Sequence, residues 1–377
     1  MTTLITQLQD RIANNCSAFG THFPNYGSGQ QYVLKEDITW LSAFWLGMLW
    51  LCAANDENKD QSSIHLQTAE SLLPKFQALL DPQNEIMFDH DLGFLYCLGP
   101  RAQWQVTGDD AAKQAAVRAA EELLGRYRLP GKYIQAWGPV GSEEEGGRII
   151  ADSMMNLPLL FWASEQTGDD RFKTAAYEHA KNCQTHLMRP DGSSYHTFFF
   201  NQHTGEPDRA ETHQGYGDNS LWARGQAWAI YGFALAAEWC NDDSFLETAK
   251  QAAGRFMAEL GADLVPVWDL RLPAGHEPLR DSSASSIAAC GLLRIAELSG
   301  DATYKKQAKE QAKTLIQALI DTCLETSPGA QGLLKHGALH IPKGWAPDDY
   351  QIFGDYFFLE ALFTLENKNP DFWGPAR

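Results

Sequence analysis

The sequence predicts an all-α protein, an (α/α)6 barrel of six helical hairpins, and three observations carry that prediction. A short turn signal recurs along the 377 residues, each occurrence is followed by an amphipathic helical stretch, and each is preceded by a more uniformly apolar one. The signals are Asn55-Asp56-Glu57, Thr107-Gly108-Asp109, Thr167-Gly168-Asp169, Asn241-Asp242-Asp243 and Ser299-Gly300-Asp301. In each, Gly or Asn can close one helix in a left-handed turn while Asp caps the next.

The stretches after the turns, such as AAKQAAVRAAEELL and RFKTAAYEHAKNCQTHL, repeat apolar residues at spacings of three and four, as an outer helix with one buried face requires. These outer helices are expected to start near residues 3, 62, 109, 169, 242 and 301. WLSAFWLGMLWLCAA, LGFLYCLGPRAQW, SMMNLPLLFWASEQ, LWARGQAWAIYGFALAAEW, SASSIAACGLLRIAEL and YFFLEALFTLE are apolar around most of their circumference. They read as inner helices starting near 40, 91, 152, 222, 283 and 351. Inner starts recur every roughly 50 to 70 residues, a spacing at which repeat architectures are expected. An open solenoid would end on a polar capping face; YFFLEALFTLE is not one, so the ring is expected to close. Only SYHTFFF and VPVWDL suggest short strands.

The 377 residues are expected to form a single catalytic domain, although length alone permits more. With 44% hydrophobic and 11% aromatic residues, a large core is available. A net charge of -18 argues against sequence-independent binding to nucleic acid or anionic membranes. The first twenty residues lack the basic end and unbroken apolar run of an export signal, no apolar run is long enough to span a membrane, and the seven scattered cysteines suit free thiols. A cytoplasmic protein is expected. Neither cysteines nor histidines show metal-ligand spacing, so no metal and no cofactor are expected. Oligomeric state is left open.

Long segments lead from outer to inner helices, so the long loops collect at the end that carries the inner N-termini. There the sequence gathers Trp40, Asp91, Asp152, Trp222, Arg224, Asp281 and Asp355. Asp91 and Asp152 each stand where a polar, Gly-containing segment enters an apolar helix, a position that permits tuning of proton affinity. A helix cap is the competing role, and it suits Asp281 well, but Asp91 and Asp152 lack the Glu or Gln three residues on that completes a capping box. Two carboxyl groups among Trp, His and Arg fit chemistry on a glycosidic bond. Arg224 has the fork to pair with a substrate carboxylate, with an internal salt bridge as the alternative.

HDLGFLY, IQAWGP, GGRIIADSMMNLPLL, SSYHTF, THQGYGDNSLWARGQAWAIYGFAL, RDSSASSIAACGLL and APDDYQIFGDYFFLEAL occur in order over nearly the whole chain. Through them the chain resembles the unsaturated glucuronyl hydrolases, glycoside hydrolase family 88. The resemblance implies an (α/α)6 barrel acting in the bacterial cytoplasm on unsaturated uronic-acid-containing di- or oligosaccharides left by polysaccharide lyases. It assigns Asp152 as general acid/base and Asp91 as the second essential aspartate. It places Trp40, His90, Trp137, His196, His213, Gln214, Trp222, Arg224 and Trp228 around the substrate. The stretches near 260 to 280 and 325 to 347 resemble the family less. Lys335, His340 and Lys343 there are candidates for a sulfate on the leaving sugar, against the alternative of a solvated loop face.

The chemistry so implied is hydration of a vinyl ether. Asp152 is expected to protonate carbon 4 and then to deprotonate the attacking water. Its pKa is expected to be raised by apolar surroundings and by the charge of Asp91, which is expected to stay ionised. The alternatives are an unsaturated rhamnogalacturonyl hydrolase, a direct inverting glycosidase and, outside enzymes, a carbohydrate-binding protein that would tolerate loss of both aspartates.

Overall fold

A computed structural model describes residues 1–56, 63–81 and 84–376. Outer helices are α1 (Thr2–Phe19), α3 (Ile64–Ala78), α6 (Asp110–Gly125), α8 (Asp170–His186), α10 (Asp243–Glu259) and α12 (Ala302–Thr322). Inner rods are α2 (Ser42–Asn55), α4 and α5 (Leu92–Tyr96 and Ala102–Thr107), α7 (Leu157–Thr167), α9 (Ala223–Cys240), α11 (Ser282–Leu298) and α13 (Ile352–Leu365). The inner rods close a ring: α2 packs on α4, α4 on α7, α7 on α9, α9 on α11, α11 on α13, and α13 back on α2. The expected (α/α)6 barrel is therefore the architecture, and the open solenoid is not. No helix among the described residues is long and apolar enough to cross a membrane.

Glycines on inner rods let neighbours approach to backbone distance. A Cβ on Gly93 would lie 2.3 Å from Cα of Asn156, one on Gly232 2.3 Å from Cβ of Met154, and one on Gly291 3.0 Å from the Tyr231 backbone. Outer helices achieve close packing differently, through alanine seams such as Ala112, Ala115, Ala116, Ala119 and Ala120 on α6. Asp109, Asp169, Asp242 and Asp301 accept from the backbone N–H two residues on, at 2.8–2.9 Å. Such caps are worth about 1 kcal/mol each.

Several expectations need correction. Of the turn signals, Gly108, Gly168 and Asn241 take the left-handed conformation, whereas Ser299 closes α11 in an extended one. At the first signal Ser63, not Asp56, caps α3, and Asp56 instead stands at the C-terminal end of α2; Glu57 and the expected start at 62 lie outside the described residues. LGFLYCLGPRAQW is interrupted by a π turn at Cys97–Arg101, because Pro100 has no N–H to continue the ladder. The third inner segment starts as a 3-10 turn, Ala151–Met155, and only then becomes α7.

More β-structure forms than expected, all of it in outer-to-inner loops among the described residues. β1 (Phe23–Ser28) pairs with β2 (Gln31–Lys35), β3 (Tyr127–Arg128) with β4 (Tyr133–Ile134), and β5 (Arg148–Ile150), β6 (Thr197–Phe200) and β7 (Pro207–Glu211) make one antiparallel sheet. SYHTFFF supplies β6 as expected; VPVWDL makes only isolated bridges, Trp222 to Asp269 and Val267 to Arg280.

Candidate active site

β5 and β6 are in register with Ile150 opposite Thr197, and the Ala151 N–H donates to the His196 carbonyl at 2.9 Å. This register delivers Asp152 and His196 side by side at the inner N-terminal end. On the neighbouring rod, Asp91 occupies the N-cap position of α4 without capping it, and Asp152 caps nothing either. Capping therefore does not explain these carboxyl groups, whereas Asp281 does cap α11 by accepting from Ser283 N–H at 3.2 Å.

A cavity of about 170 Å³ lies between them, lined by Asp89, Asp91, Asp152, Trp40, Phe94, Trp137, Ile150, His213, Gln214, Trp222, Arg224, Trp228, His340, Lys343 and Trp345. Asp91, Asp152 and seven of the nine expected binding residues are thus brought together around one cavity. His90 and His196 stand behind that lining, each backing one aspartate: His90 Nε2 is 3.4 Å from Asp91 Oδ1, and His196 Nε2 is 3.8 Å from Asp152 Oδ2. Asp355 does not reach the cavity; it accepts from Tyr32 O–H at 2.6 Å and from the Leu333 and Leu334 N–H groups. Lys335 also lies outside the lining.

Arg224 resolves to the internal salt bridge. Its guanidinium is 1% exposed, pairs with Asp281 at 2.7 Å and donates to the Ala338 and Leu339 carbonyls at 2.5 and 2.7 Å. Gln214 donates to the same Leu339 carbonyl at 3.0 Å, so both side chains hold the 338–346 loop over the site. Trp222 lies under the guanidinium, 4.5 Å from ring centroid to Cζ. Trp40 stacks on Phe353, and Trp137 carries Arg148 over its face at 5.0 Å and His213 against it at 4.9 Å.

Burial raises the Asp152 carboxyl to a pKa of about 7; Arg224 pulls it down and Asp89 pushes it up. The raised value matches expectation: Asp89 adds to it, and Asp91 and Asp152 disfavour each other's ionisation. Asp91 departs from expectation: burial first, then Asp89 and Asp152, hold it well above the usual carboxylate range, so it does not stay ionised by itself. Asp89 is raised by burial to about 6. Carboxylate oxygens of Asp89 and Asp91 and a ring nitrogen of His90 lie within 4.8 Å of one another, so the two carboxyl groups titrate as a pair rather than singly. Burial also keeps His90 and His196 neutral, and holds His213 and His340 near 4.

Two contributors escaped the sequence reading. Asp89 lies two residues before Asp91, and its Oδ1 accepts the Asp91 N–H at 3.0 Å; the DHD run was its signal. Asn156 is 1% exposed, donates to Asp91 Oδ1 at 3.2 Å and accepts from Phe94 N–H at 2.8 Å. Its position in the middle of an apolar segment was the only hint.

Comparison with known proteins supplies independent findings. The model of the family described as Glycosyl Hydrolase Family 88 matches residues 12–362. The chain is 43% identical over 364 residues to an unsaturated glucuronyl hydrolase of Bacillus sp. (strain GL1), covering 96% of this chain and 95% of the relative. It is 37% identical to an unsaturated chondroitin disaccharide hydrolase of Streptococcus pyogenes serotype M1, covering 98% of this chain and 93% of that one. The crystal structure of the Bacillus sp. GL1 unsaturated glucuronyl hydrolase superposes with a TM-score of 0.93 over 97% of each chain at 42% identity. A Streptococcus agalactiae unsaturated glucuronyl hydrolase mutant, complexed with dGlcA-GalNAc6S, superposes with a TM-score of 0.82 over 97% of this chain and 92% of that one, at 30% identity.

Proposed function

The chain belongs to glycosyl hydrolase family 88, and from that premise we propose how its residues divide the work of an unsaturated glucuronyl hydrolase. The enzyme releases the non-reducing-end unsaturated uronic acid from lyase-generated, glycosaminoglycan-derived oligosaccharides. Asp152 is the general acid. Its proton goes to carbon 4 of the ring double bond, the ring oxygen shares the positive charge developing at carbon 5, and water adds there while the Asp152 carboxylate takes the water's proton. The resulting hemiketal opens and expels the neighbouring sugar, leaving Asp152 protonated again.

The observation that carries this reading is the Asp152 carboxyl itself: its side chain is 13% exposed at the cavity wall, and burial keeps it protonated up to about pH 7. Asp89 and Asp91 together carry the negative charge that faces the oxocarbenium-like centre, and Asn156 aims Asp91 at the substrate. His90 and His196 stand behind the aspartates as neutral rings. Trp40, Trp137, Trp222 and Trp228 line the ring pocket, with His213 and Gln214 at its edge. Lys343, 3.4 Å from His213 Nε2, supplies a cation for a sulfated leaving sugar of the kind held by the Streptococcus agalactiae relative.

The proposal treats residues 1–377 as one catalytic domain working without metal or cofactor in the cytoplasm, where seven free thiols are stable. Turnover in deuterated water tests it: deuterium at carbon 4 and loss of the conjugated-alkene absorbance are expected, and an unlabelled product rules hydration out.

A further inference from the structure

The cavity between the aspartates, at about 170 Å³, is smaller than the roughly 300–1,000 Å³ of sites that enclose a whole ligand. It admits the uronic acid ring and leaves the second sugar at the mouth. Trp345 lines that mouth and is 55% exposed, whereas Trp222 and Trp228 of the same cavity are 5% and 1% exposed. A single exposed aromatic is ordinary on a protein surface; one held rigidly at the rim of a site is not.

Trp345 is held. His340 and Trp345 exchange both backbone hydrogen bonds at 3.1 Å, and the intervening Gly344 takes a left-handed φ of 66°. Ala346 next to it has φ 41°, a conformation an alanine adopts only when its surroundings impose it. The loop is tied to the barrel by Arg224 and Gln214 through the Ala338 and Leu339 carbonyls. Lys343 Nζ stands over the indole at 4.8 Å, and the His340 ring meets it edge-on at 5.6 Å. His340 is 5% exposed, and neither of its ring nitrogens has a hydrogen-bond partner in the protein.

We propose that Trp345 is the platform for the leaving sugar, its indole packing against the C–H face of the ring beyond the scissile bond. His340 and Lys343 fix the indole and border the same subsite. The proposal rests on the active-site reading above and extends it from the released ring to its partner. Loss of the platform would penalise substrates in proportion to what they carry beyond that bond.

The test compares the unsaturated disaccharide with the methyl glycoside of the same unsaturated uronic acid, followed by loss of ultraviolet absorbance. In Trp345→Ala the ratio of kcat/KM for the disaccharide to that for the methyl glycoside is expected to fall roughly tenfold, mainly through KM, with Trp345→Tyr recovering most of it. An unchanged ratio in Trp345→Ala overturns the platform. Failure of the wild-type protein to turn over either compound overturns the active-site reading itself, and the platform with it.

Discussion

His196 Nε2 faces Asp152 Oδ2 at 3.8 Å while His196 Nδ1 accepts the backbone N–H groups of His213 and Gln214, both at 3.0 Å. Two donors on Nδ1 require the neutral ring to carry its proton on Nε2. That proton points toward the acid across a gap too long for a hydrogen bond. The imidazole therefore does not stabilise the Asp152 carboxylate, and burial keeps the acid protonated up to about pH 7. The same histidine fixes the loop carrying Gln214, so acid and binding wall are set by one ring.

Asp152→Asn is expected to lower kcat by about 10²–10⁴, the usual contribution of a positioned acid and base, with substrate binding retained. Absorbance assays and equilibrium binding measure the two separately. Wild-type turnover by the variant would remove Asp152 from the acid role.

The raised pKa of Asp152 carries a pH signature. For the free enzyme, kcat/KM is expected to fall as pH rises through about 7, where the acid loses its proton. Stability follows the same sign: with the folded pKa above the ordinary value near 3.8, the contribution is fully present below about pH 4 and is lost as pH rises through about 7. Asp152→Asn is therefore expected to gain melting temperature relative to wild type as pH is raised across that window.

Asp89→Asn removes a negative charge that raises both Asp91 and Asp152. The alkaline limb of kcat/KM is expected to move to lower pH, a displacement that a purely structural defect would not produce.

Gly93→Ala would ordinarily help a helix by roughly 0.8–1.0 kcal/mol. Here the added Cβ meets the Asn156 backbone at 2.3 Å, so a net loss of about 1–3 kcal/mol is expected in urea unfolding. Activity is expected to fall with it, because Asn156 aims Asp91.

Arg224→Gln leaves Asp281 buried without its cation. Breaking such a pair is expected to lower stability by about 3–5 kcal/mol and to free the 338–346 loop, read out as easier proteolysis there. A melting curve indistinguishable from wild type would show that the backbone carbonyls alone do not need this anchor.

The sequence by itself determined the barrel and the end that works, because helical period, capping aspartates and loop lengths are local properties. It also marked Asp91 and Asp152, since a charged residue entering an apolar helix is visible in one dimension. Closure of the ring through Gly93, Gly232 and Gly291 was not legible, as a glycine's neighbour belongs to another rod. Nor was the fate of Arg224, whose partners Asp281 and Ala338 lie 57 and 114 residues away. The raised pKa of Asp152 was legible from its apolar helix, but that of Asp91 was decided by tertiary structure: burial raises it along with Asp152, and the proximity of Asp89 makes their charge a shared property. Proton affinity depends on what surrounds a carboxyl group in space, and that is fixed only when six distant segments meet on one rim.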